Sequence, residues 1–167
     1  MTQEISSNNF QASTRLDDND FITDPRVPDP ENIPEPLGWH LIVRPYPVAD
    51  TTSAGIIMPQ SEIDFMNQNL NIARVIKIGA CAWNKSSHTD KDTGERFNWV
   101  NEGDFVSFPK HKGGRRKFKG VSYVILNDDE IVERLVDPLV FDNSRYEIDI
   151  PQEDLETYNT IYKKDSK

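Results

Sequence analysis

Few residues of this chain have the types and spacing that catalysis or metal binding requires. Asp90-Lys-Asp92-Thr-Gly94-Glu95 offers the oxygens of a calcium loop. Its glycine comes one position early, however, and Asn101 stands where the closing glutamate belongs, so a plain turn is expected. His40, His88, His111 and Cys81 show no zinc-ligand spacing. Lys110-His-Lys-Gly-Gly-Arg-Arg-Lys-Phe-Lys119 joins positive charge to an aromatic ring, as small barrels that hold single-stranded nucleic acid do. The other reading is a solvated hairpin face, and a net charge of -9 favours it by repelling phosphates at long range. There is no phosphate-cradling glycine loop and no nucleophile elbow, so the chain is not expected to be an enzyme or to carry a cofactor or metal of its own. What remains is apolar. Gly55-Ile56-Ile57-Met58-Pro59 lies inside a long stretch, Val48 to Leu70, where a solvated loop would be polar. Either Ile56, Ile57 and Met58 form a buried strand, or they are a binding tip. The flanking Gly55 and Pro59 and the missing alternation favour the tip.

The elements that must carry this segment read as short strands. Trp39 to Pro45, Asn71 to Gly79, Gly103 to Phe108, Arg115 to Gly120, Val121 to Leu126 and Ile131 to Val136 are β-rich runs separated by turn residues. In the second run, Ile72, Arg74, Ile76 and Ile78 fall on one side and Ala73, Val75 and Lys77 on the other. The fold class is therefore all-β, a small, partly open antiparallel barrel with a long mobile loop. The first and last strands are expected to be its unpaired edges, which favours assembly between subunits. Ala80 to Val100, with Trp83, Phe97 and Trp99, is an inserted hairpin on aromatic supports.

Length and charge set the frame. The chain has 167 residues, enough for one ordinary domain. Mean hydropathy is -0.66, which places part of it outside the core. Residues 1–36 hold eight acids against two arginines, a net of -6, and include Pro25, Pro28, Pro30, Pro34 and Pro36. This arm is expected to be disordered or draped, with no fold of its own. Residues 37–136 carry a net +1 and form the barrel domain. Residues 137–167 are a second acidic arm of net -4, in which Leu155, Tyr158, Ile161 and Tyr162 fit a short helix. No apolar run approaches the ~20 residues of a membrane span, and the N-terminus lacks a secretory pattern. With a single cysteine, Cys81, a reducing cytoplasm is expected.

The order of these pieces resembles the GroES-like co-chaperonin family, and within it the versions encoded by bacteriophages. The pieces are Val43-Arg-Pro45, Thr52-Ser-Ala-Gly-Ile-Ile-Met-Pro59, Ala73-Arg-Val-Ile-Lys-Ile-Gly79, Val100-Asn-Glu-Gly-Asp-Phe-Val-Ser-Phe108 and Tyr123-Val-Ile-Leu-Asn-Asp-Asp-Glu-Ile131. The resemblance runs from about Gly38 to Val136 and implies a ring, normally of seven barrels, that caps a GroEL-type chaperonin. It implies that Gly55, Ile56, Ile57 and Met58 are the chaperonin-binding residues and that Ala80 to Val100 is an enlarged roof hairpin. Any ATP would be used by the partner. The sequence departs from the family in Ala54-Gly55, where two glycines are usual, in Pro59, and in both acidic arms. The alternatives are a virion structural protein that reuses the barrel and a nucleic-acid-binding module.

Overall fold

The computed structural model describes residues 21–47, 55–57, 59, 70–84, 90–95, 99–136 and 150–162. Six strands, β1 (His40–Pro45), β2 (Leu70–Ile78), β3 (Phe105–Pro109), β4 (Gly114–Phe118), β5 (Val121–Asn127) and β6 (Glu133–Leu135), form one sheet. Its order is β4-β5-β1-β2-β3-β6, and every neighbouring pair is antiparallel. A 3-10 turn, Asp128–Glu130, separates β5 from β6, and a helix, α1 (Gln152–Tyr162), follows among the described residues. The architecture is the all-β, partly open barrel.

The sheet is apolar on both faces. Leu41 and Val43, Ala73 and Val75, Val106 and Phe108, and Val124 and Leu126 pack the interior with Phe21, Trp83 and Val100. The alternate residues Ile42, Ile72, Phe105, Val121 and Tyr123 fill two further clusters on the other face. A bulge sets the division. Ile42 pairs with Lys77 but Val43 pairs with Val75, so Ile76 is the extra residue. Ile76 and Lys77 both serve the outer side, where Ile76 joins the Ile42 cluster and Lys77 Nζ bonds the Ile33 carbonyl at 2.9 Å, while Ile78 turns inward. Strict alternation from Ile72 to Ile78 is corrected by that single residue.

The edges also differ from expectation. β1 is not an edge: it pairs β2 on one side and β5 on the other, with Leu41 opposite both Ile78 and Leu126. Five of its six residues are buried, as in a strand covered on both faces. The edges are β4 and β6. β4 joins β5 through Lys119-Gly120, a two-residue turn with both φ positive, at 48° and 83°, as a twisted hairpin requires. β6 is shorter than the run Ile131 to Val136, because Ile131 packs against the interior before the ladder begins.

Gly79 closes the end of β2 against the entry to β1. Its N–H donates to the His40 carbonyl at 2.9 Å, and a Cβ there would lie 2.5 Å from the Gly38 oxygen and 2.7 Å from that of His40. Both obstacles are backbone. Gly79→Ala is expected to lower stability by about 2 kcal/mol, read as a shifted denaturation midpoint with an unchanged m-value.

Candidate partner-binding loop and its root

The chain leaves the sheet after Tyr46 and Pro47 and re-enters it at Leu70. Between them, Gly55 has φ +77°, a backbone conformation that glycine adopts without strain. Ile56 and Ile57 follow, 64% and 79% exposed, with Ile57 in an isolated β-bridge. Met58, the third residue of the anticipated tip, lies outside the described residues.

The root is as buried as the tip is exposed. The Tyr46 N–H donates to the Ile72 carbonyl at 2.9 Å, extending the β1–β2 ladder by one rung. Its ring lies 5.6 Å from that of Phe105, and Phe105 meets Tyr158 of α1 edge-on at 5.5 Å. Ile72, Leu135, Ile150 and Leu155 complete the cluster. The Tyr46 hydroxyl donates to Asp154 Oδ2 at 2.6 Å. Burial pushes this hydroxyl's pKa well above the usual tyrosine value; Arg74 opposes the shift and the Asp154 carboxylate adds to it.

Arg44 and Arg74 stand beside it on the outer face, and the two acidic arms converge on them. Arg44, with only 3% of its side chain exposed, gives Nη1 to Asp29 at 3.0 Å. Its Nη2 reaches the carbonyls of Val27 at 2.6 Å, Asp24 at 3.0 Å and Pro25 at 3.3 Å. Arg74 gives Nη2 to Asp29 at 2.7 Å and Nη1 to Asp154 at 2.8 Å. Tyr123 donates to Asp29 at 2.7 Å. Two guanidinium groups thus meet one carboxylate from each arm. The cleft of about 470 Å³ alongside is lined by the same four side chains, with Pro25, Ile150 and others, and is charge-balanced at its centre.

Residues 21–36 are draped over the sheet. Ser122 donates to the Phe21 carbonyl, Thr23 donates to the Gly120 carbonyl at 3.1 Å, and Ile33 packs on Ile42 and its neighbours. Sequence reasoning passed over Asp29 and Asp154. The available signal was Arg44 and Arg74, cations inside otherwise apolar strands that need buried counter-charges.

The other candidate stretches resolve into structure. Asp90 Oδ1 accepts from the N–H groups of Asp92 at 2.8 Å and Thr93 at 3.0 Å, a side-chain-capped turn, and these bonds hold its carboxyl below the usual range. Among the described residues no cluster of His, Cys, Asp or Glu is arranged to hold a metal ion. In the stretch anticipated as an inserted hairpin, Ala80 to Val100, Trp83 is buried with φ +53°, and its backbone N–H donates to Asp128 Oδ2 at 2.8 Å. Lys85 to Thr89 and Arg96 to Asn98 of that stretch lie outside the described residues. The basic stretch becomes edge strand β4, with Arg115 to Lys117 exposed and the Arg115 guanidinium 5.5 Å above the Phe21 ring. Among the described residues, no helix is long and apolar enough to cross a membrane.

The sequence model of the family described as the chaperonin 10 Kd subunit matches residues 34–134. Curated relatives include the Co-chaperonin GroES of Brevibacillus brevis, 30% identical over 99 residues that cover 59% of this chain and 94% of that protein. The Co-chaperonin GroES of Alkaliphilus oremlandii is 28% identical over 98 residues, 59% of this chain and 93% of its own. That of Shouchella clausii is 26% identical over 99 residues, with coverage of 59% and 94%. Asp29 and Asp154 fall outside the matched range, whereas Arg44 and Arg74 fall within it.

Removing Asp29 strands Arg44 in a nearly dry site. Asp29→Ala is expected to cost about 3–5 kcal/mol in urea unfolding, the range for breaking a buried pair from one side. Glu35→Ala removes an exposed contact to Lys77 at 3.8 Å and is expected to leave the midpoint unchanged.

Proposed function

The chain belongs to the chaperonin 10 Kd subunit family, and from that membership we propose that it is a co-chaperonin. It caps a GroEL-type chaperonin through Gly55, Ile56, Ile57 and Met58 and assists ATP-dependent protein folding. The observation that carries this reading is the tip: two large aliphatic side chains, Ile56 and Ile57, are held mostly outside the subunit's own core. Exposed apolar side chains next to one another mark a contact surface.

The energetics suit a lid that must also leave. Burying each of these side chains in a partner's groove contributes roughly 1.5–3 kcal/mol, and ordering the segment consumes several kcal/mol of the total. A single subunit therefore binds weakly. In a ring, each further contact is effectively intramolecular, and avidity raises the affinity by orders of magnitude. The ring is a heptamer, as is usual for this family. Among the described residues the outer side of β6 is a strand edge, and Leu37, Trp39, Val132 and Val136 are exposed apolar side chains for subunit contacts. The protein works in the cytoplasm, that of the host cell if a bacteriophage encodes it. It uses no cofactor and has no catalytic centre, and nucleotide hydrolysis belongs to the chaperonin.

Ile57→Asp is expected to weaken capture by ATP-loaded chaperonin more than tenfold, because every subunit of the ring loses an anchor at once. The unfolding midpoint and the sedimentation of the ring should stay as in the wild type, since Ile57 is largely exposed. Undiminished capture, measured by co-sedimentation, overturns the assignment. Stable attachment to purified capsids in place of chaperonin would favour a virion component.

A further inference from the structure

We propose that α1 is a bracket that holds the loop's root against strand β6, so that the docking of this C-terminal helix sets how strongly the loop engages a partner. The inference rests on the loop being the partner-binding element, as proposed above.

Contacts from three residues place α1 against both the loop's root and β6. Asp154 in its first turn takes the Tyr46 hydroxyl at 2.6 Å and Arg74 Nη1 at 2.8 Å, gripping the last buried residue before the loop and the strand to which the loop returns. Leu155 and Tyr158, one turn apart on the buried face, pack into the cluster that contains Tyr46, Ile72 and Phe105. The Tyr158 hydroxyl then lies 2.7 and 2.8 Å from the carbonyl oxygens of Leu135 and Val136, which share its proton. The first is the carbonyl of the last residue of β6 and the second that of the residue after it, and among the described residues this strand has a neighbour on one side only.

Without α1, Tyr46 keeps a single ladder bond to Ile72 and loses both its acceptor and much of its cover. The final rung of β1–β2 would then open locally, and the loop would leave the barrel from a looser, later point. A tip on a looser root has more freedom to lose when it binds, which lowers affinity without touching a contact residue. Asp154, Leu155 and Tyr158 are accordingly positioning residues.

The test uses the full chain with Leu155→Asp, which undocks the helix, and Tyr158→Phe, which keeps the ring and removes only the bond to β6. Hydrogen exchange at the Tyr46 amide is expected to quicken at least tenfold in Leu155→Asp and by a smaller factor in Tyr158→Phe. The Val43 amide, in the centre of the sheet, should not change in either. Affinity for ATP-loaded GroEL-type chaperonin, measured on the assembled ring isolated by sedimentation, should fall in the same order. Tyr46 exchange that stays at the wild-type rate in both variants overturns the bracket, as does unaltered affinity alongside faster exchange. If the wild type itself is not captured, the functional reading falls, and Tyr46 exchange alone decides whether α1 holds the root.

Discussion

Two cations on the outside of a β-barrel govern much of this molecule. Arg44 and Arg74 sit in adjacent strands at the Arg44–Arg74 rung of the β1–β2 ladder. A guanidinium group so placed can face water, or it can be covered and neutralised; leaving it covered and unpaired costs several kcal/mol. Here it is covered. Asp29 bridges both arginines from the N-terminal side and Asp154 holds Arg74 from the C-terminal side. With two charges of each sign, the network stabilises the covering segments only when both carboxylates are in place.

That constraint explains why segments so polar lie on a sheet. An acidic, proline-rich stretch has little apolar area to bury, but its turn at Asp24 to Val27, closed by the Val27 N–H on the Asp24 carbonyl at 3.0 Å, presents backbone carbonyls to the sheet. Arg44 collects three of them, from Asp24, Pro25 and Val27, so the arm's backbone does what its side chains cannot. Ile33 and Phe21 add apolar contacts at two points. The C-terminal segment uses a different device, a helix whose Leu155 and Tyr158 cover Phe105 and Tyr46. The result is a second layer over the face of the barrel that carries Ile42, Ile72, Phe105 and Tyr123.

The division between tip and root follows from the same layer. Ile56 and Ile57 are exposed and belong to none of the core clusters, while Tyr46 is buried in the cluster that α1 completes. A buried root under an exposed apolar tip separates the contacts that hold the segment to the barrel from the side chains left outside its core.

How much of this was legible in the chain depends on the range over which each interaction acts. Strand content and the Lys119-Gly120 hairpin turn follow from local β-propensity and turn chemistry, and they were readable. So was the order of motifs that identifies the family. The bulge at Ile76 was not, since inserting one residue into a ladder depends on the partner strand and leaves no mark in β2 itself. Nor was the pairing of β1 on both sides, because edge or centre is decided by which distant strand arrives, here β5. The arms are the clearest case. Composition alone determined that both are acidic and that the N-terminal one is proline-rich, and the strands alone determined that two arginines interrupt apolar runs. Only the tertiary structure brought Asp29 and Asp154 to those arginines, across 15 residues of chain in one pair and 80 in another. Sequence patterning records local preference, whereas the pairing of buried charges is settled by which segments share a face once the chain has folded.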